Sequence, residues 1–379
     1  MTESGKIGVD ASFLTRDTRG MGRCVRAVLS QWEESPDRFV LLALTRRQLA
    51  SLKDYAQKGW QVALYNQAPE LTVCWFPWNR VDWDPECPRV ALIHDVAPFT
   101  EFHTKNRHTE DDQARLVGAV RHADAVMTIS NFSRAEIHHH LGYPLEDVTI
   151  ISWAPDRALF HPSPLVRKDL LPEALHDKPF LLYVGTLEPR KNLRGLLDAF
   201  ALVEKQIPHQ LVLVCPQPAN SWLDKLLGRS HELSGISDSL GSRLLWLEDL
   251  NDLDLVELYR RCDLYLMPSF YEGFGLPLLE ALACGAKVAA ARTSSLPEVG
   301  GNLPRWFNPK DAVDMAQVIL DALEWEGPSP EQLEQHLEHF SWRNLFQEIL
   351  NFLEEVAYRP RRSKSGVFPA VPSYPQLPE

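Results

Sequence analysis

Apolar positions along this chain gather into short continuous runs bounded by turn residues, and between the runs they recur at the three-and-four spacing of a helix face. Ile7–Asp10, Phe39–Leu44, Val90–His94, Ala125–Ile129 and Val148–Ile151 form one series of such runs, and Leu181–Val184, Leu211–Val214, Leu244–Leu247, Leu264–Met267 and Lys287–Ala290 form another. A strand covered on both faces needs apolar residues throughout rather than in alternation, so both series read as buried strands of parallel sheets. Strands alternating with helices predict an α/β protein with helices on both sheet faces.

Length turns two series into two domains. A chain of 379 residues exceeds what one hydrophobic core normally covers, and 45% hydrophobic residues can fill two. The expected division is a domain over 1–160, a connection over 161–178 carrying three prolines, and a second domain over 179–341. A helix over 342–358 and a mobile, proline-rich tail over 359–379 follow. The basic cluster Arg359–Lys364 is either a phosphate- or lipid-contacting element or a solvated end.

Composition removes several function classes. A net charge of −12 argues against broad nucleic-acid binding, which draws its affinity from lysines and arginines on phosphates. No apolar run approaches the roughly 20 residues of a membrane span, and Met1–Gly5 is polar, so a cytoplasmic location is expected. Six cysteines lie apart without a C-x-x-C pair and read as reduced core thiols.

Two segments carry candidate chemistry. In Phe270–Glu280 an apolar strand gives way to a helix starting near Leu276, with Pro277 suited to the first turn. Glu280 is expected in that first turn and Glu272 on the preceding loop, both facing one crevice. A helix start with free N–H groups attracts a diphosphate, glycines let backbone approach it, and carboxylates accept hydrogen bonds from sugar hydroxyls. The alternative is an ordinary strand–turn–helix in which Glu280 merely complements the helix dipole. In Phe180–Asn192 a strand leads into a loop bearing Arg190 and Lys191, at the carboxyl edge where α/β sheets bind ligands. These cations either neutralise the same diphosphate or form a solvated pair at a helix start.

Other motifs have plainer readings. Gly20-Met21-Gly22 starts a G-x-G-x-x-G match, but Val25 occupies the third glycine's place, so a dehydrogenase fingerprint fails. Asp82-Trp83-Asp84 and Asp252-Leu253-Asp254 match a metal-binding D-x-D, and the second precedes a helix it can cap; no catalytic metal is expected. His138-His139-His140 cannot share one ion on a helix, where successive side chains diverge. Ser133 with Glu136 and Ser295 with Glu298 fit capping boxes. His94 follows the buried Ala91-Leu92-Ile93 and should sit at the sheet's carboxyl edge; a structural histidine bonded to a backbone carbonyl is the alternative.

Glu272 and Glu280, the Gly185–Asn192 loop, Ile93-His94-Asp95, Gly8-Val9-Asp10 and Gly20–Arg23 together resemble the family 4 retaining glycosyltransferases of GT-B fold, over most of the chain. The resemblance implies an α/β GT-B architecture: two Rossmann-like domains with parallel sheets facing a deep interdomain cleft, the first binding acceptor and the second nucleotide sugar. Helix 342–358 would cross back to the first domain. Glu280 would hold the ribose, Glu272 would touch the transferred sugar, and Gly273, Phe274, Gly275 and Leu276 would offer backbone to sugar and phosphate. Arg190 and Lys191 would hold the diphosphate beside Gly185 and Thr186, Gly20 and Gly22 would form a glycine loop closing on the phosphates, and His94 would lie near the reacting sugar.

Two departures stand out. Thr186 replaces an arginine common in relatives, and Cys215-Pro216 stands where glycine is usual, in a nucleobase wall expected around Cys215–Asn220 and Trp246–Leu250. The implied reaction is metal- and cofactor-independent hexosyl transfer, mannosyl favoured, from a nucleoside diphosphate sugar to a glycan or lipid-linked hydroxyl in cell-surface polysaccharide synthesis. For a lipid-linked acceptor, His103–His108 is either a loop on the membrane's inner face or a solvated one. A GT-B-like epimerase or phosphorylase and a non-catalytic sugar-nucleotide-binding subunit remain as alternatives.

Overall fold

The computed structural model describes residues 5–17, 20–33, 35–103, 108–163, 167–176, 178–215, 240–241 and 243–359. These divide into two compact units: described residues within 1–100, 105–153 and 342–379 form unit 1, and those within 101–104 and 154–341 form unit 2.

Unit 1 holds a seven-stranded sheet of β1 (Lys6–Asp10), β2 (Phe39–Ala43), β3 (Gln61–Leu64), β4 (Leu71–Phe76), β5 (Arg89–Ile93), β6 (Ala125–Thr128) and β7 (Val148–Ile150). The order is β3-β2-β1-β4-β5-β6-β7, with every neighbouring pair parallel. Unit 2 repeats the plan with β8 (Phe180–Val184), β9 (Gln210–Val214), β10 (Leu244–Leu247), β11 (Leu264–Met267), β12 (Val288–Ala291) and β13 (Arg305–Phe307). Its order β10-β9-β8-β11-β12-β13 is again parallel throughout. In each sheet the first strand lies between the second and the fourth, so the connections reverse direction there. The crevice outside the carboxyl ends of those two strands is where such sheets bind ligands.

The apolar runs became strands because both sheet faces are covered; Val40, Leu41, Leu42 and Ala43 are all fully buried. Three strands were not anticipated. β4 is a central strand whose Val73–Phe76 run is wholly buried and pairs with β1 and β5. β3 and β13 are short edge strands, one half-buried throughout and the other three residues long.

After unit 2, the helix Trp342–Ala357 packs as part of unit 1, burying Leu345, Ile349, Leu350, Phe352, Leu353 and Val356. Trp342 meets Trp153 with ring centroids 5.8 Å apart, and Phe346 meets Trp32 at 6.3 Å. Trp32 in turn stacks on Phe39 at 4.2 Å, which ties the returning helix into the core. Most of the tail expected over 359–379 lies outside the described residues. Among the described residues no helix is long and apolar enough to cross a membrane.

Asp10, at the end of β1, is fully buried. Its Oδ1 accepts from Ser12 N and Oγ at 2.9 and 2.5 Å, while Oδ2 has no hydrogen-bond partner among the described residues. Burial pushes its pKa from 3.8 up to about 7, against the two Ser12 hydrogen bonds, with Asp82 adding to the rise and Arg80 opposing it. The folded chain holds this proton more tightly than the unfolded chain does. The contribution of Asp10 to the stability of unit 1 is therefore full below about pH 4, falls as pH rises from about 4 to about 7, and is flat above. Asp10→Asn should remove that slope, which amounts to roughly 4 kcal/mol at most. Urea unfolding at a series of pH values from 4 to 8.5 checks it; an unchanged slope in the variant would refute it.

Candidate active site

The loop after β8 is fixed from several directions. Gly185 N donates to Val214 O at 3.1 Å, and a Cβ on Gly185 would lie 2.5 Å from the Tyr183 hydroxyl, which donates to Thr186 O at 3.0 Å. Thr186 Oγ1 and Arg190 Nε both donate to Glu188, at 2.9 and 2.6 Å. Pro189–Lys191 makes one 3-10 turn, and Asn192 then adopts φ 52° as the cap of helix Leu193–Val203. Its Oδ1 accepts from Gly195 N at 3.2 Å, while its Nδ2 donates to Pro268 O and Pro309 O at 3.1 and 2.8 Å. Phe270 N donates to Arg190 O at 2.7 Å. The loops after β8 and β11, the first and fourth strands of this sheet, are thereby joined.

That junction delivers both cations to one carboxylate. Lys191 Nζ lies 2.7 and 2.9 Å from the two oxygens of Glu272, and Arg190 Nη1 lies 3.4 Å from Oε2. Ser269 Oγ donates to Oε1 at 2.7 Å. Glu272 is only 6% exposed. Burial pushes its pKa up, but Lys191 and Arg190, with the hydrogen bonds from Lys191 and Ser269, outweigh it and hold the carboxyl below its usual 4.5. The loop after β12 fixes the backbone here: Glu272 N donates to Ser294 Oγ at 3.1 Å, and Ser295 Oγ sits 2.9 and 2.8 Å from the carbonyls of Glu272 and Phe274.

Gly273, Phe274 and Gly275 lead into helix Leu276–Ala283. Gly275 has φ 103°, a backbone that favours glycine, and among the described residues its position makes no side-chain cap bond to the helix. Glu280 is buried, and it is the fifth helical residue rather than part of the expected first turn. The helix starts as anticipated at Leu276, and counting forward places Glu280 at the start of the second turn.

The remaining candidates, His94, Gly20 and Gly22, lie in unit 1. His94 directly follows β5, is buried, and donates from Nε2 to Pro77 O at 2.9 Å. Its backbone N donates to Asn79 Oδ1 at 2.6 Å, and its ring stacks on Trp153 at 5.6 Å. Burial lowers its pKa, against the rise favoured by the Pro77 bond and by Asp95 and Asp17, so the ring is neutral and Nδ1 is left as an acceptor. The backbone-carbonyl bond of the structural alternative is thus present. Gly20 and Gly22 form the first turn of helix Gly20–Gln31 rather than a loop. A Cβ on Gly22 would lie 2.0 Å from Asp17 O, so the close approach of that turn requires glycine.

Several sequence motifs resolve into supporting contacts. Asp82 pairs with Arg80, and Asp84 with Arg89 at 2.9 Å. The cap of helix Asp252–Arg261 is Asn251, with Asp254 completing its capping box. Neither serine capping box forms as expected. Ser130, not Ser133, caps helix Asn131–Leu141, and Ser295 makes no cap bond because its hydroxyl is committed to the Glu272 loop. All six cysteines are buried, and no disulfide joins them among the described residues. Of the expected nucleobase wall, Cys215 is buried and residues 216–220 lie outside the described residues. Ser269, Ser294, Ser295 and Asn192 were not anticipated as site residues. Only Ser269-x-x-Glu272 carried a readable signal, the three-residue spacing at which a serine reaches a carboxylate.

Two parallel sheets of this order, with a cation pair and a buried acid at one switch point, define a two-unit α/β protein of the GT-B glycosyltransferase class. Residues 171–339 match the family described as Glycosyl transferases group 1. The chain is 33% identical over 273 residues to O-antigen chain mannosyltransferase B of Escherichia coli, covering 69% of each. It is 30% identical over 294 residues to the serotype-specific mannosyltransferase WbdA of Escherichia coli, covering 71% of this chain but 34% of WbdA. Its fold matches Anabaena HepE, solved in complex with UDP and glucose, with TM-score 0.69 and 19% identity over 92% of this chain and 99% of that one. WaaG, a glycosyltransferase of lipopolysaccharide biosynthesis, matches with TM-score 0.63 and 16% identity over 92% and 99%. The chain belongs to the group 1 glycosyl transferases and is a glycosyltransferase.

Replacing Lys191 by alanine leaves a buried carboxylate with Ser269 and only one charged partner, Arg190 at 3.4 Å, and should destabilise unit 2 by about 3 kcal/mol. Adding Glu272→Gln should restore most of the loss, since the uncompensated charge goes with it. Because the folded carboxyl titrates below 4.5, the wild-type advantage holds at neutral pH and fades as pH falls through the folded value. Denaturant unfolding of the single and double variants checks this, and additive losses would refute it.

Proposed function

We propose that this glycosyltransferase moves a mannosyl unit from a nucleoside diphosphate sugar to a hydroxyl of a glycan or lipid-linked acceptor, with retention of configuration, in cell-surface polysaccharide synthesis. The observation that carries the donor side is the convergence of Lys191 and Arg190 on Glu272 beside an uncapped helix start. Mannosyl transfer and the polysaccharide context are supported by the two Escherichia coli mannosyltransferases, and a nucleoside diphosphate sugar by HepE, solved with UDP-glucose.

In this reading Arg190 and Lys191 take the diphosphate next to Gly185 and Thr186, the backbone of Gly273–Leu276 faces sugar and phosphate, and Glu280 holds the ribose. Glu272, kept ionised, accepts hydrogen bonds from the transferred sugar. As the sugar–phosphate bond breaks, charge grows on the departing diphosphate, and cations already in place stabilise it without reorganisation. That phosphate then accepts the proton of the attacking hydroxyl on the same face. Unit 1 supplies the acceptor side, to which His94, Gly20 and Gly22 belong. With a lipid-linked acceptor the enzyme works at the inner face of a membrane.

A thermal-shift panel of UDP, GDP, ADP and their sugars tests the donor site. One nucleotide in hundredfold excess over its Kd should add roughly 3 kcal/mol of stability. Glu280→Ala should diminish that shift, and Lys191→Ala should lower kcat roughly 10²-fold, the scale of losing one preorganised donor. No shift with any nucleotide, or an unchanged shift in Glu280→Ala, would overturn the assignment.

A further inference from the structure

His94 is pinned along its backbone and at one ring nitrogen. Its N–H donates to Asn79 Oδ1 at 2.6 Å, its carbonyl accepts from Ser133 Oγ at 3.1 Å, and Nε2 donates to Pro77 O at 2.9 Å. These bonds fix the backbone and one edge of the imidazole, and leave its face to be covered. Trp153 covers it, with the two rings 5.6 Å apart at 28°. Trp153 is itself 2% exposed and meets Trp342, with centroids 5.8 Å apart at 40°. Residue 153 is the last of unit 1 before the chain passes into unit 2, and residue 342 is the first after it returns. The aromatic support of His94 is therefore assembled from both of these passages.

With its Nε2 proton committed to a carbonyl, a neutral ring offers Nδ1 as a hydrogen-bond acceptor, whereas a protonated ring would present a donor there. A sugar hydroxyl that donates its proton needs the first of these states. Burial is the largest influence on the ring and keeps it neutral; the Pro77 bond, Asp95 on its own loop and Asp17 on the loop after β1 all favour protonation. Trp153 supplies part of that burial. Taking its ring away exposes the imidazole face to water and lets the two aspartates act.

We infer that Trp153, in contact with Trp342, is a positioning residue for glycosyl transfer: it fixes the plane of the His94 imidazole so that Nδ1 accepts from a substrate hydroxyl. The inference rests on the reading above in which His94 belongs to the acceptor side. The test uses the full chain and follows nucleoside diphosphate release from UDP-glucose, GDP-mannose and ADP-glucose in turn, with methyl α-D-mannoside as acceptor, across pH 5–9. Trp153→Leu, which keeps an apolar side chain but no ring, should lower kcat roughly fivefold with donor KM unmoved. The acid limb of its pH profile should move to higher pH, since the ring must be neutral to work, and the His94 resonance of ¹⁵N-histidine-labelled protein should titrate upward with it. Trp153→Phe should restore most of kcat. Trp342→Leu, at a half-buried position, tests the same contacts without touching Trp153 and should shift the acid limb in the same direction.

A double-mutant cycle separates positioning from plain packing: in a His94→Asn background, Trp153→Leu should cost little further rate. The same fractional loss with and without His94 would overturn the inference, as would an unmoved acid limb and His94 titration in both the Trp153→Leu and Trp342→Leu proteins. A His94→Asn protein as active as the wild type removes His94 from the acceptor side and takes this inference with it, leaving the donor site standing. A wild type that turns over none of the three sugar nucleotides loses the glycosyl-transfer reading of these donors, and this inference falls with that reading.

Discussion

The arrangement around Glu272 depends on one electrostatic requirement: a carboxylate removed from water must be matched by charge and hydrogen bonds, or it costs several kcal/mol. Lys191 and Arg190 supply the charge and Ser269 the remaining bond. Everything nearby can be read as what is needed to deliver those groups. Asn192 must turn the chain through φ 52° to end the cation-bearing turn, and its side-chain amide holds that turn to the loop after β11. Ser294 and Ser295, reaching in from the loop after β12, fix the backbone on either side of the acid. The cations are thereby held in position by protein contacts, which is the condition for stabilising a leaving group without rearrangement.

The two sheets explain why these loops meet at all. With the first strand lying beside the fourth, the segments after β8 and β11 leave neighbouring strands at the same edge, although they are far apart in sequence. Unit 1 has the same order, and there the segments after β1 and β4 bring Asp10 and Trp78 together, with Asn79 linking them to His94. Strand order alone thus places each cluster. The side chains decide what it does, which is why two sheets of one topology carry such different chemistry, an ion-paired acid in one and an imidazole stacked on tryptophan in the other.

Much of this could be read from the chain. Strands covered on both faces announce themselves as apolar runs, and the cation pair and the two glutamates stood out against their surroundings. What could not be read depended on tertiary pairing. β4 carries an apolar run of its own, Val73–Phe76, but its place as a central strand is visible only in its pairing with β1 and β5. Ser295 has the spacing of a capping residue, but its hydroxyl finds better acceptors in carbonyls brought from another loop. Local signals failed where a contact distant in sequence outbid a near one.

Arg190 and Lys191 show the same conflict in electrostatic form. Two cations just before the start of helix Leu193–Val203 oppose its dipole, an arrangement that local rules disfavour. The chain tolerates it because a separate 3-10 turn carries the pair ahead of the helix, and because Glu188 and Glu272 balance them at 2.6 and 2.7 Å. The helix's own N–H groups are served by Asn192 rather than by an acid, so no carboxylate is drawn away from the cations to cap it. An ordinary helix start would place an aspartate here and cations at the far end. Reversing that preference has a structural cost, which the two carboxylates offset.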